Sequence, residues 1–353
     1  MAERVLTRRA LNRALLARQL LLERERLSVV DAVERLAGLQ AQHTSAPYLQ
    51  LWTRLDGFER DELARALEAR SLVKALLMRG TLHIVTAADY WAYAVARQDG
   101  TPAWPAGYER FVPTRRIEEL AATLTADLRR TRRTLPEILA TLAADASGPA
   151  SAAFLWRTLQ RHGHFVHVPP SGLWGYHKGG HYAAADAWVD GEPPAPPAAL
   201  DLLVRRYLGA FGPATEHDVA RWAGITRVTP IRASLARLAA RTYRNEEGRL
   251  LYDLPDTPLP DPDTPPPPRL VARYDNLLLA HVDRTRILAD VPATRVIATN
   301  GLVHATILVD GFVAGTWRLE NGRVVLEPFG RLERDTRAAL EAEAKRVEHF
   351  MRT

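Results

Sequence analysis

The chain has 353 residues, 47% of them hydrophobic, a formal net charge of +6 and no cysteine. That is enough apolar material for two or three packed cores, and it excludes disulfides and thiolate metal sites. There is no apolar run long enough to span a membrane and no signal peptide ahead of the first helical pattern, so a soluble cytoplasmic protein is expected. Of the 47 basic residues only Lys74, Lys178 and Lys345 are lysines; the rest are arginines, whose planar forks suit phosphates and guanine edges. The same bias would follow from a GC-rich genome, to which the abundance of Ala and Pro also points.

Apolar periodicity predicts a first helix from about Arg8 to Glu25. Ser28, with Asp31 three residues on, has the spacing of a capped helix start. Gly38-Leu-Gln-Ala-Gln-His-Thr-Ser-Ala-Pro-Tyr48 follows, and its Gly38 and Pro47 interrupt regular helix. Helices are expected over about Thr44–Leu55 and Arg60–Ala69. Leu72–Met78, a tight Arg79-Gly80 and Thr81–Val85 read as two short strands, the helix-then-ribbon order of a winged-helix module. Thr86 with Asp89 caps another helix, Thr101–Pro113 is a connection, and Ile117, Leu120, Ala121, Leu124 and Leu128 form a helical stripe.

The pattern then recurs. Thr134-Leu-Pro-Glu137 opens a helix, Ser151–His162 gives a second, Phe165–Val168 a strand with Tyr182-Ala-Ala as a partner, and Glu192–Pro197 a linker. In the third copy Thr215 and Asp218 cap a helix that Gly224 breaks. Thr229-Pro230 restarts it to Arg241, and Thr242–Arg244 with Arg249–Leu254 supply a wing. After the Pro-rich stretch Pro255–Pro268, Asp310-Gly311 and Asn321-Gly322 join three strands within Gly301–Phe329, and a helix over Arg334–Arg352 closes the chain. The expected fold is α+β and mostly α. Tandem winged-helix modules (helix-turn-helix plus β-hairpin) occupy 1–113, 114–198 and 199–258, and a C-terminal antiparallel β region with its closing helix occupies 269–353.

Gln40 and Gln42 stand out chemically. In extended backbone, side chains at i and i+2 leave on the same side, whereas in a helix they diverge. A pair of amides can fix a water molecule or read a base edge, although a bare Gln-x-Gln is more often just a polar helix end. His162, His164 and His167, with His177 and His181, invite a metal reading. In an extended segment His167 leaves the shared face, and no cysteine or carboxylate cluster completes a ligand set, so neither metal nor other cofactor is expected. Phosphate-loop, Gly-x-Ser-x-Gly and kinase motifs are absent. Asp275, Asp283 and Arg284 read as an internal ion pair in apolar surroundings.

Gly38-Leu-Gln-Ala-Gln42, followed by Ala46-Pro-Tyr48 and Leu51-Trp-x-Arg54, resembles the signature of the winged-helix DNA glycosylases of the AlkZ type, the antibiotic-resistance and interstrand-crosslink glycosylases. Arg79-Gly-Thr-Leu-His83, Gly212-Pro-Ala-Thr215 with Trp222-x-Gly224, Asp283-Arg284 and Leu308-Val-Asp-Gly311 extend the resemblance over nearly the whole chain. It implies three winged-helix modules in a concave arrangement around double-stranded DNA. It also implies a Gln-hydrophobic-Gln motif that hydrolyses the N-glycosidic bond of alkylated purines, with Ala41 here as the middle residue.

On that resemblance Gln40 and Gln42 hold the attacking water of a monofunctional DNA glycosylase. A crosslink-specialised branch carries Asp at the second polar position, so Gln42 favours the branch acting on bulky natural-product adducts. An N7-alkylated purine is cationic and leaves without a general acid, which fits amides in place of carboxylates. Bulky adducts resist flipping into a pocket, so an open surface is expected. Arg54, Arg79, His83, Arg232 and Arg237 are the expected DNA contacts, and the hairpin at Asp310 and Gly311 is expected to approach a groove. The expected partner is duplex DNA carrying alkylated purines, bound by a monomer. The rival expectation is a non-catalytic winged-helix regulator or lesion sensor, against which the absence of dimerisation heptads counts.

Overall fold

Locally encoded caps start most of the helices. The computed structural model describes residues 4–97, 110–148 and 150–352, the side chains of 161 and 162 excepted. Most of the predicted connection Thr101–Pro113 therefore lies outside the described residues. β1 (Val5–Leu6) leads into α1 (Arg8–Arg18), whose N-cap Thr7 accepts from the Ala10 amide. α1 stops short of the predicted Glu25: Leu20 takes a positive φ of 55°, and Glu25 bridges to Leu55 instead. α2 (Val29–Arg35) starts at Ser28, whose hydroxyl accepts from Asp31 N.

Next come β2 (Leu39–Gln40), α3 (Ala46–Arg54), α4 (Arg60–Glu68), β3 (Leu72–Leu76), β4 (Leu82–Thr86) and α5 (Ala87–Ala96). α6 (Thr114–Arg130) buries Ile117, Leu120, Leu124 and Leu128. β5 (Arg133–Thr134) precedes α7 (Leu135–Leu142), which opens on a capping box of Thr134 and Glu137. α8 (Ala152–His162), β6 (Phe165–His167) and β7 (His181–Ala184) complete the first half.

α9 (Pro196–Phe211) is unanticipated. The prolines that read as linker form its first turn, where a missing N–H costs nothing. Ala199, Leu200, Leu203, Val204, Tyr207, Leu208 and Phe211 are buried at helical spacing and Arg205 on the other face is exposed, so a stripe is present and the prolines at its start obscure it. α10 (Glu216–Ala223) and α11 (Thr229–Arg237) form the third helix-turn-helix, with β8 (Arg241–Asn245) and β9 (Leu250–Asp253) as its wing. Gly224 caps α10 with φ +78°, and a Cβ there would meet the Arg79 backbone at 2.9 Å. β10 (Arg269–Val271), also unanticipated, α12 (Thr285–Leu288), β11 (Ala305–Val309), β12 (Phe312–Glu320), β13 (Arg323–Pro328) and α13 (Arg334–Arg352) end the chain.

Three sheets organise these elements. The six-stranded one runs β2-β4-β3-β6-β7-β5, because β3 pairs with β6 (Lys74↔His167, Ala75↔Val166) and fuses two hairpins far apart in sequence. β1 adds in parallel to the wing as β1-β8-β9, and β10-β11-β12-β13 form an antiparallel meander. The largest core surrounds α9 and includes Tyr207, Phe211 and Trp222. A second joins Leu39, Tyr48 and Ile84 to Trp317 and Phe350, and so fastens the Gln stretch to the C-terminal sheet. The result is α+β and mostly helical. Among the described residues no helix is long and apolar enough to cross a membrane.

Candidate active site

Gln40 ends the edge strand β2 opposite His83 of β4, and the Ala41 amide donates to Leu82 O at 2.7 Å. The Gln40 side chain is buried (4% exposed), and its Oε1 accepts from Arg79 Nη2 at 3.1 Å. Gln42 lies beyond the strand in an exposed turn, where its Oε1 accepts from Leu82 N at 3.3 Å. Both amides therefore lean on one segment, Arg79–Leu82. Guanidinium and backbone N–H groups only donate, so they fix the amide oxygens inward and leave the amide nitrogens as outward donors.

Arg79 holds this arrangement. It occupies left-handed backbone (φ 55°, ψ 15°) in the 3₁₀ turn Met78–Gly80, and its guanidinium donates to Trp222 O at 2.8 Å and Asn276 Oδ1 at 3.0 Å. Strained backbone of this kind persists where its surroundings over-determine it. Burial, with Arg221 nearby, pushes the Arg79 pKa down to about 10. Arg284, whose Nε donates to Leu278 O at 2.9 Å, is lowered by burial and by the same Arg221. Among the described residues none of Arg79, Arg221 and Arg284 meets a carboxylate, whereas Arg18, Arg54 and Arg206 are each clamped to an aspartate. An uncompensated arginine group beside two outward amides is a place for anionic oxygens.

Several expected DNA contacts fall elsewhere. Arg54 is 1% exposed and makes a bidentate pair with Asp275 at 2.8 and 2.9 Å, so no phosphate reaches it. The internal ion pair expected of Asp275 thus forms, with Arg54 as its partner. Arg284 is not its partner, and Asp283 lies 3.7 Å from Arg249. His83 is 0% exposed, and burial followed by Arg79 drives its pKa down to about 3, so it is neutral and unavailable to phosphate. Its Nδ1 lies 3.0 Å from Thr81 O, and its buried Nε2 has no hydrogen-bond partner among the described residues. The Asp310-Gly311 turn packs against α1, with the Asp310 side chain still half exposed. Asp310 binds Arg9 and Arg13, and a Cβ on Gly311 (φ +80°) would strike Asn12, Leu16 and Arg13 of α1 within 2.8 Å. Arg232 and Arg237 are exposed but paired, with Glu216 at 2.9 Å and Asp201 at 2.7 Å.

The histidines do not converge. His164 packs edge-on to Trp91, His181 Nε2 lies 2.7 Å from Tyr176 Oη, and burial holds His167 near a pKa of about 3. The His162 side chain lies outside the described residues, and among those described no group of three acids or histidines could hold a metal. Arg221 and Asn276 escaped the sequence reading. Arg221 directly precedes the Trp222-x-Gly224 motif, and that adjacency was the available signal.

The AlkZ-like family model, described as "DNA glycosylase AlkZ-like", matches residues 33–350, a span that includes Gln40, Arg79 and Arg284. The chain belongs to the AlkZ-like DNA glycosylase family. A curated relative, the interstrand DNA cross-link repair glycosylase of Streptomyces sahachiroi, is 28% identical over 357 aligned positions, 94% of this chain and 92% of that protein. The solved structure of Streptomyces sahachiroi DNA glycosylase AlkZ superposes with a TM-score of 0.82 at 25% identity, covering 98% and 97% of the two chains. As an AlkZ-like DNA glycosylase this chain is an enzyme acting on DNA, which sets aside the non-catalytic regulator.

Proposed function

We propose that this glycosylase hydrolyses the N-glycosidic bond of N7-alkylated purines in duplex DNA, acting as a monomer in the cytoplasm, with Gln40 and Gln42 placing the water. The observation that carries this reading is the absence of acid at the site. Among the described residues no carboxylate contacts either amide or Arg79, and the neighbouring Asp275 spends both oxygens on Arg54 and the Leu277 amide. Without a general acid the leaving base must bring its own lability, as a cationic N7-alkylated purine does. The enzyme then has only to position water and stabilise developing charge.

The amides divide that work. Gln40, locked by Arg79, offers Nε2 as a donor to the water oxygen. Gln42 is exposed and its bond to Leu82 N is long, so it can turn and accept a hydrogen bond from the water through Oε1, the proton freed on attack passing to solvent. One lone pair of the water is then left for the anomeric carbon. Arg79, Arg221 and Arg284 bind the flanking phosphates. The Streptomyces sahachiroi relative is named an interstrand DNA cross-link repair glycosylase, which supports crosslinks as further substrates in this reading.

The test is base release from a duplex with one N7-alkylguanine. Gln40→Ala and Gln42→Ala should each lower the single-turnover rate by about 100-fold or more, the size of loss seen when one preorganised polar group is removed. Melting temperature and DNA affinity should stay near those of the parent. If both variants keep parental rates, the water is placed by other residues.

A further inference from the structure

Directly after Gln42 the chain enters a cleft of about 450 Å³. Leu49 of α3, Ala305 of β11 and Trp317 of β12 are its apolar lining, His43, Arg273 and His304 bring polar groups to it, and the carboxylate of Glu327, also in the lining, is taken up by Arg318 and Thr316. A mismatch in strand length shapes it. β11 begins at Ala305 opposite Trp317, so β12 runs on to Glu320 with no neighbour on that side, leaving a step at the sheet edge. The Trp317 indole is pinned by its Nε1 donating to Val271 O at 2.9 Å. Leu319, which also lines the cleft, is 37% exposed and one of three large hydrophobics left in solvent among the described residues. His43 Nδ1 lies 3.1 Å from Ser45 Oγ, and burial, reinforced by Arg273 and His177, lowers its pKa, so this imidazole is neutral near pH 7.

The chemistry of the lesion supplies the occupant. N7 and the glycosidic nitrogen share the five-membered ring of the purine, so a substituent on N7 starts within a few ångströms of the carbon that water must attack. Whatever N7 carries must lie beside Gln42, and the cleft opens at the next residue. A methyl group would leave it empty, since its volume falls among pockets that enclose drug-sized ligands. An apolar lining with donors beside it matches a flat ring system bearing oxygen acceptors.

We propose that this cleft seats the bulky substituent on N7 of the damaged purine, an oxygen-bearing polycycle, and so sets the preference of the enzyme for large adducts; this rests on the glycosylase reading above. The polycycle covers Leu319 and Trp317, while Arg273 and the lining histidines donate to its oxygens. A 7-methylguanine uses the amides and leaves the cleft unused.

The experiment compares two duplexes, one with guanine alkylated at N7 by aflatoxin B1 epoxide and one with 7-methylguanine. Thr316, on the cleft wall with Oγ1 3.2 Å from Glu327, is replaced by Trp to fill the space and by Ala as the control for that bond. Thr316→Trp should lower release of the polycyclic base at least tenfold relative to 7-methylguanine, and Thr316→Ala should leave the ratio unchanged. An equal loss on both substrates, or no change in the ratio, overturns the proposal. Should Thr316→Trp melt early, Ser45→Phe fills the cleft instead, with Ser45→Ala as the control for the bond to His43, and the pair is read the same way. The same lesions on 2′-fluorinated sugars, which resist hydrolysis, report binding alone. If the parent releases neither base, the proposed reaction fails; the cleft is then upheld if Thr316→Trp abolishes a parental binding preference for the polycyclic duplex, and overturned if there is no such preference or it persists.

Discussion

Two arginines close to the Gln stretch have opposite fates. Arg54, at the end of α3, is sealed in the core, with Asp275 taking both ends of its guanidinium and Gln19 O and Gln50 O taking further N–H groups. Arg79, in the turn before β4, is half-buried and among the described residues has neutral acceptors alone: Gln40 Oε1, Asn276 Oδ1 and Trp222 O. Asp275 and Asn276 are adjacent, so one short segment neutralises the first arginine and merely orients the second. The first arrangement stores stability. The second leaves charge unspent beside the two amides.

The largest effect expected from this contrast is on folding. Asp275→Ala strands a buried guanidinium and should cost about 3–5 kcal/mol, read from the denaturant midpoint. A loss below about 1 kcal/mol would show that Arg54 finds another partner and erase the contrast.

Lys74 separates the cations left unpaired beside the amides from one that is merely buried. It is 8% exposed, lies on β3 opposite His167, and burial lowers its pKa to about 8 from 10.5. Between those values the unfolded chain holds a proton that the folded chain lacks, so stability rises with pH across that window and the penalty is fully present below it. Lys74→Met should therefore stabilise the protein at pH 7, by about 3 kcal/mol at most, and should remove that slope. Denaturant midpoints at pH 7 and 10 test both points, and base release at pH 7 should be unchanged.

Arg221→Ala should move stability by about 0.5 kcal/mol or less, because the side chain is exposed and, among the described residues, unpaired with any carboxylate. It should reduce the slope of log affinity against log salt by about one. An unchanged slope would remove Arg221 from the phosphate contacts. The smallest effects belong to Arg232→Ala and Arg237→Ala. Each breaks an exposed ion pair that solvent screens, so the change in stability should be near zero. A clear fall in salt slope for either would show that DNA displaces Glu216 or Asp201.

Local chemistry was legible in the sequence. Ser28 with Asp31, Thr86 with Asp89, Thr134 with Glu137 and Thr215 with Asp218 each start a helix through bonds spanning three residues, so the pattern and the structure are nearly the same statement. The wing, the meander turns and α13 followed for the same reason, and Gln40-Ala-Gln42 was visible as a polar pair at the end of an apolar segment. What only the tertiary structure decided is which partner each polar group meets. Arg54 and Asp275 are 221 positions apart, β3 pairs with a strand of another hairpin, and Asp310 is folded back onto α1. The prolines at its first turn hid α9, because Pro reads as a break although a helix start tolerates it. Whether an arginine is spent on an aspartate or left for a phosphate depends on which distant segment packs beside it, and no local spacing carries that information.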